Sequence, residues 1–384
     1  MDSSRAVLRA LALGGPVTRP QLGTLLNLSK PTMSAAVVEL SALGLVAPRG
    51  MAKGPMGRTA TTYGLGSSAG YVIGLDVGAA QVRGVAHALD GTQIATIESP
   101  IELENWGLAS QIGPIIWAAA RHLISIAAGE HGPLRSIAVA VPRIVAQRQL
   151  GLDSQAGPEA ALRELRQRVQ APIILENNVN CAAIAEMSYG AARGEETFAY
   201  LQIGVRIGLG IIANGRLFRG NGAAGEIGRT PFPWSPTTKP YREGLEDFLG
   251  AAAFMARCTA NWPSDSGPPP TSAKELFRLA EGGSFYARAC VTSHAADIGR
   301  LVAGCIGMLD PGLVVLGGGI GQNPLIIDEV TRVATELTWP TRIAITPLAE
   351  NGTVLGAMKL AADYGLGLLL KEDRHPAVVL PPLP

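Results

Sequence analysis

Hydrophobic positions in the first 65 residues recur at helical spacing in three short runs. Val7, Leu8 and Leu11 share one side of a helix over residues 4–13, which Gly14 and Gly15 close. Thr18 followed by Gln21 makes a capping box, with Pro20 tolerated in the first turn, and opens a helix whose apolar face is Leu22, Leu25 and Leu26. After the turn Asn27-Leu28, Ser29 caps a third helix reaching about Leu43. Its Met33, Ala36, Val37 and Leu40 face inward, and Gly44 occupies the C-cap glycine position. "LVAPRGMAKGPMGRTATTYGL", residues 45–65, then reads as strand, glycine-rich loop, strand. Three helices with a tight turn before the third, followed by a hairpin, are the layout of a winged helix-turn-helix.

From residue 70 onward strands alternate with helices. "GYVIGLDVGAAQVRGVAHALDG", residues 70–91, predicts two strands hinged at Gly78 just after Asp76. Helical material follows near residues 108–130, then the strand "SIAVAVP", a helix over 159–170, and a strand at 173–176 that runs into Asn177, Asn178 and Asn180. A second glycine-hinged strand pair lies over 198–213, and "VVLGGGIG" at 314–321 is a strand ending in a glycine cluster. "RIAITPL" precedes a final helix with Val354, Leu355, Met358 and Ala362 at core spacing. This alternation predicts an α/β body. An Asp-x-Gly hinge suits phosphate or a hydrated metal ion, and an ordinary hairpin turn has the same pattern. The glycine cluster would let a nucleotide approach the backbone closely.

With 384 residues and 47% apolar content, the chain is long enough for two or three domains with real cores. Formal net charge is +1, so nothing global points to nucleic acid. Local charge differs: residues 1–70 hold seven basic and two acidic side chains, a net of +5, and the remainder hold 25 basic and 29 acidic, a net of −4. A basic module thus precedes a neutral-to-acidic body. On the third helix Ser29, Lys30, Thr32 and Ser34 keep the outward side short and polar, suited to phosphates and base edges. In the hairpin Arg49, Lys53 and Arg58 reach along a duplex backbone or into a minor groove. A charged protein-interaction adaptor is the alternative.

The four cysteines, Cys181, Cys258, Cys290 and Cys305, are scattered among small or apolar neighbours and fit buried thiols in a reducing cytoplasm, with no zinc spacing and no other metal set. No signal peptide and no uninterrupted apolar run of membrane-span length is visible, so the expected location is the cytoplasm, away from membranes.

The order of these parts resembles the ROK family (repressors, open reading frames and kinases), in its repressor architecture. The resemblance rests on "LDVGAAQVRG", "ENNVNCAAIAE", "IGVRIGLGIIANGRLFRGNGAAGEIGR" and "VVLGGGI", and covers about residues 3–366. It implies a winged helix-turn-helix at 1–66 before a two-lobed actin/hexokinase-type ATPase-like fold. The first lobe would be 70–178, completed by a helix near 350–368; the second, with dimerisation and effector functions, 179–349; and a tail 369–384. In family kinases an Asn-Asp-x-Asn segment supplies the base that takes the sugar hydroxyl's proton. Here Asn178 holds that position, and an amide accepts no proton at neutral pH.

Other family motifs depart as well. Gly204-Val205-Arg206 replaces glycine-threonine-glycine, Asp76-Val77-Gly78-Ala79-Ala80 lacks the threonine, and Ala140-Val141-Pro142-Arg143 replaces Gly-x-Pro-Gly. The zinc element is missing, with Arg229 at the histidine position. The downstream stretch would be held by Phe232, Trp234 and Tyr241. Arg206 and Arg143 would hold a phosphorylated ligand or make ordinary salt bridges. By the resemblance, Asn177, Asn178, Glu226, Arg229 and Glu246 form an effector site for a sugar or sugar phosphate, with Arg229 free to hold either glutamate. Asp76, Gly78, Gly204, Arg206, Gly208, Gly317, Gly318 and Gly319 form a vestigial nucleotide site.

The resulting expectation is a transcriptional regulator, a repressor that is not an enzyme and needs no cofactor. It would bind an operator duplex as a homodimer or dimer of dimers. The alternatives are an active sugar kinase with an accessory DNA-binding domain, and an effector-independent regulator or adaptor.

Overall fold

A computed structural model describes residues 2–53, 59–78, 80–101, 109–142, 145, 158–233, 235, 237–260, 262–372 and 378–383. The chain divides into two compact units, Met1–Asn178 with Ala357–Pro384, and Val179–Gly356. The expected elements at Arg58, Ala79, Arg143 and Trp234 lie outside the described residues.

The N-terminal elements are α1 (Asp2–Gly14), β1 (Val17–Thr18), α2 (Arg19–Leu26), α3 (Lys30–Ala42), β2 (Val46–Lys53) and β3 (Thr59–Leu65). The strands form an antiparallel sheet in the order β1-β3-β2. Both halves of the Thr18–Gln21 capping box are present, and the Ser29 side chain accepts from the Thr32 amide at the start of α3. Val7, Leu8, Leu11, Leu22, Met33, Ala36, Val37 and Leu40 are buried as their spacing requires. Leu25 is different: it is 68% exposed, because a helix of two turns has room for one core position and Leu22 takes it.

The first unit continues with β4 (Tyr71–Val77), β5 (Gln81–Ala88), β6 (Gln93–Pro100), α4 (Ala109–Ala127), β7 (Leu134–Val141), α5 (Pro158–Arg168) and β8 (Ile173–Asn177). The second holds most of α6 (Asn178–Tyr189), then β9 (Phe198–Ile203), β10 (Ile207–Ala213), β11 (Arg216–Leu217), α7 (Gly244–Leu249), α8 (Ala251–Ala260), α9 (Ala273–Glu281) and α10 (Phe285–Leu309). It is completed by β12 (Leu313–Gly317), α11 (Gly318–Gly321), α12 (Ile327–Leu337) and β13 (Arg342–Ile345). Helix α13 (Gly352–Leu370) contains the boundary back to the first unit, which ends with β14 (Val378–Leu380).

In the first unit the sheet order is β14-β8-β7-β4-β5-β6, with β4, β7 and β8 parallel and β5, β6 and β14 antiparallel to their neighbours. Ile112, Ile116 and Leu123 of α4 and Leu162 and Leu165 of α5 pack against Ile73, Leu75, Ile137, Val139 and Leu175. Helix α13 lies against the same sheet: a Cβ on Gly74 would sit 2.4 Å from the Met358 amide nitrogen, and the buried Ser136 hydroxyl donates to the Ala361 carbonyl at 2.7 Å. On α13 Val354 and Met358 are buried, whereas Ala357 and Ala361 take the core positions expected of Leu355 and Ala362. The helical stretch Ala349–Leu370 is by length and composition apolar enough to cross a membrane, but more than half of its apolar window is buried inside the fold, as in a core helix.

The second sheet has the order β11-β10-β9-β12-β13, with β12 parallel to β9 and β13. Alternate residues of β9 serve its two faces. Ala199, Leu201 and Ile203 join the core with α7–α10 and α12, while Phe198 and Tyr200 pack with Val179, Ala182 and Ala183 of α6.

Candidate functional site

On α3 the outward positions Lys30, Thr32 and Ser34 are exposed, with Pro31 and Ala35 beside them. Ser29 and Thr32 are exposed too, and their hydroxyls pair at 2.8 Å within the helix cap. Lys53 is exposed at the end of β2. Arg49 points to the protein: its Nη2 donates to Asp90 Oδ2 at 2.6 Å, and its Nε donates to the Leu65 carbonyl at 3.1 Å. Nothing in the sequence pattern of the hairpin links Arg49 to Asp90, 41 residues away.

The first unit also carries Asp76 at the end of β4. Only 8% of it is exposed; burial pushes its carboxyl up to about 7, against the smaller opposing pull of Arg83. Arg83 in turn lies 3.4 Å from Glu98 across the β5–β6 pair. The Gly78 amide donates to the Gln81 carbonyl at 2.9 Å, closing the β4–β5 turn. Asn177 ends β8 and Asn178 begins α6. Just before them Glu176, 1% exposed, accepts from the Asn177 amide at 2.9 Å.

In the second unit four expected residues come together. Arg229 lies 3.6 Å from Glu226 and 3.9 Å from Glu243, while Arg206 lies 3.8 Å from Glu246. Glu246 Oε2 also accepts from the Ile207 amide at 3.4 Å. Burial raises the Glu226 carboxyl above its ordinary range, Glu246 adds to the rise, and Arg229 and Arg206 oppose it. Of the two glutamates offered to Arg229 by sequence, the structure pairs it with Glu226, and adds Glu243. Beside it the Phe232 ring lies 4.7 Å from that of Phe248 on α7, and Phe232 bridges to Tyr241.

The glycines separate by role. Gly204 lies beside Gly318 and Gly319: a Cβ on Gly204 would come 3.3 Å from the Gly319 amide nitrogen. Gly208 belongs elsewhere. A Cβ there would meet Val179 Cγ2 at 2.7 Å, and one on Gly210 would meet Ala183 at the same distance, so β10 lies directly on α6. At Gly317 the space is filled by the Tyr200 hydroxyl, 2.1 Å from an added Cβ.

Sequence reasoning passed over Glu186. It is fully buried on α6, accepts from the Ala191 amide at 2.8 Å and from the Thr346 hydroxyl, and burial raises its carboxyl. A glutamate at the end of an otherwise apolar helix face was the available signal. Among the described residues no group of three or more His, Cys, Asp or Glu could hold a metal ion.

The ROK family model matches residues 72–364, and the chain belongs to that family. It is 27% identical over 381 residues to the xylose repressor of Bacillus spizizenii, covering 96% of each chain. Among solved structures it is similar to a ROK family transcriptional regulator, a homolog of the E. coli MLC protein (19% identity, TM-score 0.74, 96% of this chain and 97% of that one). It is also similar to the ROK hexokinase from Thermus thermophilus (27% identity, TM-score 0.61, 79% of this chain and all of that one). The fold is therefore the α/β, two-lobed sugar-kinase-like one.

The kinase matches overturn the expectation of a non-enzyme. The matches include a hexokinase and a glucokinase, so an outright denial of enzymatic activity is not supported.

Proposed function

We propose that this chain is a DNA-binding transcriptional regulator, a repressor, in which residues 1–66 form a winged helix-turn-helix. What carries the reading is coverage: the hexokinase accounts for 79% of this chain, and the repressor of Bacillus spizizenii for 96%. The family model starts at residue 72, so the N-terminal elements are extra to the kinase-like part. Lys30, Thr32 and Ser34 lie on the outer side of α3 and Lys53 on the hairpin, and Arg58 lies between its strands in sequence. A homodimer would present two such helices to two half-sites. Asn178 at the family's base position and Arg229 at its zinc-histidine position are departures that fit a sensing role. The Glu226–Arg229–Glu246–Arg206 cluster offers carboxylates and guanidiniums to the hydroxyls of a sugar or to a sugar phosphate.

The test is duplex binding by the purified chain. Wild type should select a two-half-site sequence from a random duplex pool, with affinity falling steeply as salt rises. Lys30→Ala and Lys53→Ala should each lower affinity and reduce the salt slope by about one. Absence of salt-dependent duplex binding refutes the reading. A second reading, in which the chain also phosphorylates a sugar, is favoured by the kinase matches and is decided by a coupled ATP assay across a sugar panel.

A further inference from the structure

We infer that Arg49 is a positioning residue, part of a clamp that fixes the N-terminal elements to the β4–β8 part of the same unit, and is not itself a DNA contact. This rests on the DNA-binding reading above.

Three arginines make the clamp. Arg49 lies on β2, and its bonds run to two partners, the Leu65 carbonyl and Asp90. Leu65 is the last residue of β3, beyond the point where β1 pairs at Val17–Tyr63, so its carbonyl lies past that ladder; Arg49 donates to it from both Nε and Nη2. The Nη2 also reaches Asp90 in the β5–β6 turn. Asp90 is held ready for this, because its other oxygen accepts from the Thr92 amide at 3.0 Å. The Asp90 side chain is only 20% exposed. A charge-assisted bond onto a carboxylate already fixed by its own turn costs little side-chain freedom.

The second arginine acts on the joining segment itself. Arg135 of β7 donates from Nε to the Ala69 carbonyl and from Nη2 to the Ser68 carbonyl, both at 2.7 Å, and so grips residues 66–70 that join β3 to β4. Backbone contacts leave no slack in that segment. The Gly66 amide donates to the Leu45 carbonyl, and the Tyr71 amide to that of Pro133. A Cβ on Gly132 would stand 2.2 Å from the Ser67 carbonyl oxygen. Thirdly, Arg9 of α1 pairs with Glu372, just past the end of α13. The join is thus held from β2, from β7 and from α1.

Electrostatics gives the role an observable sign. Asp90 neutralises Arg49 where it stands. If Arg49 served a phosphate, removing Asp90 would release a cation and tighten binding at low salt. If Arg49 positions the hairpin, removing Asp90 must act like removing Arg49.

The experiment compares Asp90→Ala, Arg49→Ala and the double variant on a selected two-half-site duplex and on the same duplex cut to one half-site. A second readout is the width of the spin-label distance distribution between Ser41→Cys and Ser125→Cys, in a Cys290→Ser background. Both single variants should lose roughly 3–10-fold on the two-half-site duplex, the loss expected of one charged hydrogen bond with part of its value screened. The double variant should lose no more than either, one-half-site binding should be nearly unchanged, and the distance distribution should broaden. The inference is overturned if Arg49→Ala weakens binding while Asp90→Ala leaves or tightens it, or if the distribution keeps its width in both. If wild type binds no duplex at all, the DNA-binding reading fails instead, and the distance distribution still reports the clamp.

Discussion

Replacing Asp76 with asparagine should make the protein more stable at pH 8 than at pH 5, relative to wild type. Asp76 is 8% exposed at the end of β4, and burial lifts its carboxyl from 3.8 to about 7. Its folded pKa lies above its unfolded one, so the folded state binds the proton more tightly. The ionised form therefore carries a penalty, absent below the unfolded value, growing between about pH 4 and pH 7, and constant above. Three pKa units correspond to on the order of 4 kcal/mol at full ionisation. The asparagine variant would still bury an amide, costing about 1–2 kcal/mol, so a net gain of roughly 2–3 kcal/mol is expected at pH 8. Between pH 5 and pH 8 the difference between variant and wild type should widen by about 2–3 kcal/mol. Urea unfolding of both proteins at the two pH values, followed by tryptophan fluorescence and by far-UV circular dichroism, reads that widening directly. A difference that stays constant or shrinks as pH rises would refute the reasoning. It would mean that Arg83, which lies close enough to pull the carboxyl down, outweighs burial and keeps the pair ionised throughout.

Three further substitutions probe the packing that supports these sites. Gly208→Ala places a methyl 2.7 Å from Val179 Cγ2 and should cost about 1–3 kcal/mol, seen as a lower thermal midpoint, whereas Gly215→Ala, with nothing within 4 Å but a φ of 68°, strains only the backbone of an exposed turn. Ser136→Ala removes the 2.7 Å bond to Ala361 that ties β7 to α13 and should cost about 1 kcal/mol in urea unfolding.

Elements whose cause is local were legible in the sequence. The Thr18–Gln21 box, the Ser29 cap and Gly44, which has a φ of 68°, mark helix ends through bonds and backbone angles confined to a few residues. Buried positions on α1 and α3 followed from period alone. What stayed hidden depends on contacts distant in sequence. Leu25 looks like a core residue until a two-turn helix is asked to bury three leucines. On α13, alanines fill the core line because β4 comes so near that Gly74 has no room for a side chain. Arg49 reads as a cation aimed at a duplex, since Asp90 enters only once the β5–β6 turn has folded. The site was legible in the same measure. Glu226, Arg229 and Glu246, expected in one pocket, do come together, but Arg206, expected among the nucleotide-site glycines, lies 3.8 Å from Glu246, and the pairing of Arg229 with Glu243 rests on geometry that spacing does not encode.

The closeness of β10 to α6 bears on how such chains are recognised. Gly208 and Gly210 are required there by the methyl groups of Val179 and Ala183, whatever chemistry takes place elsewhere. A fingerprint built on those glycines therefore reports architecture and is silent about reaction. A sensor and a catalyst on this scaffold would carry the same stamp at these positions, and only the side chains around it tell them apart.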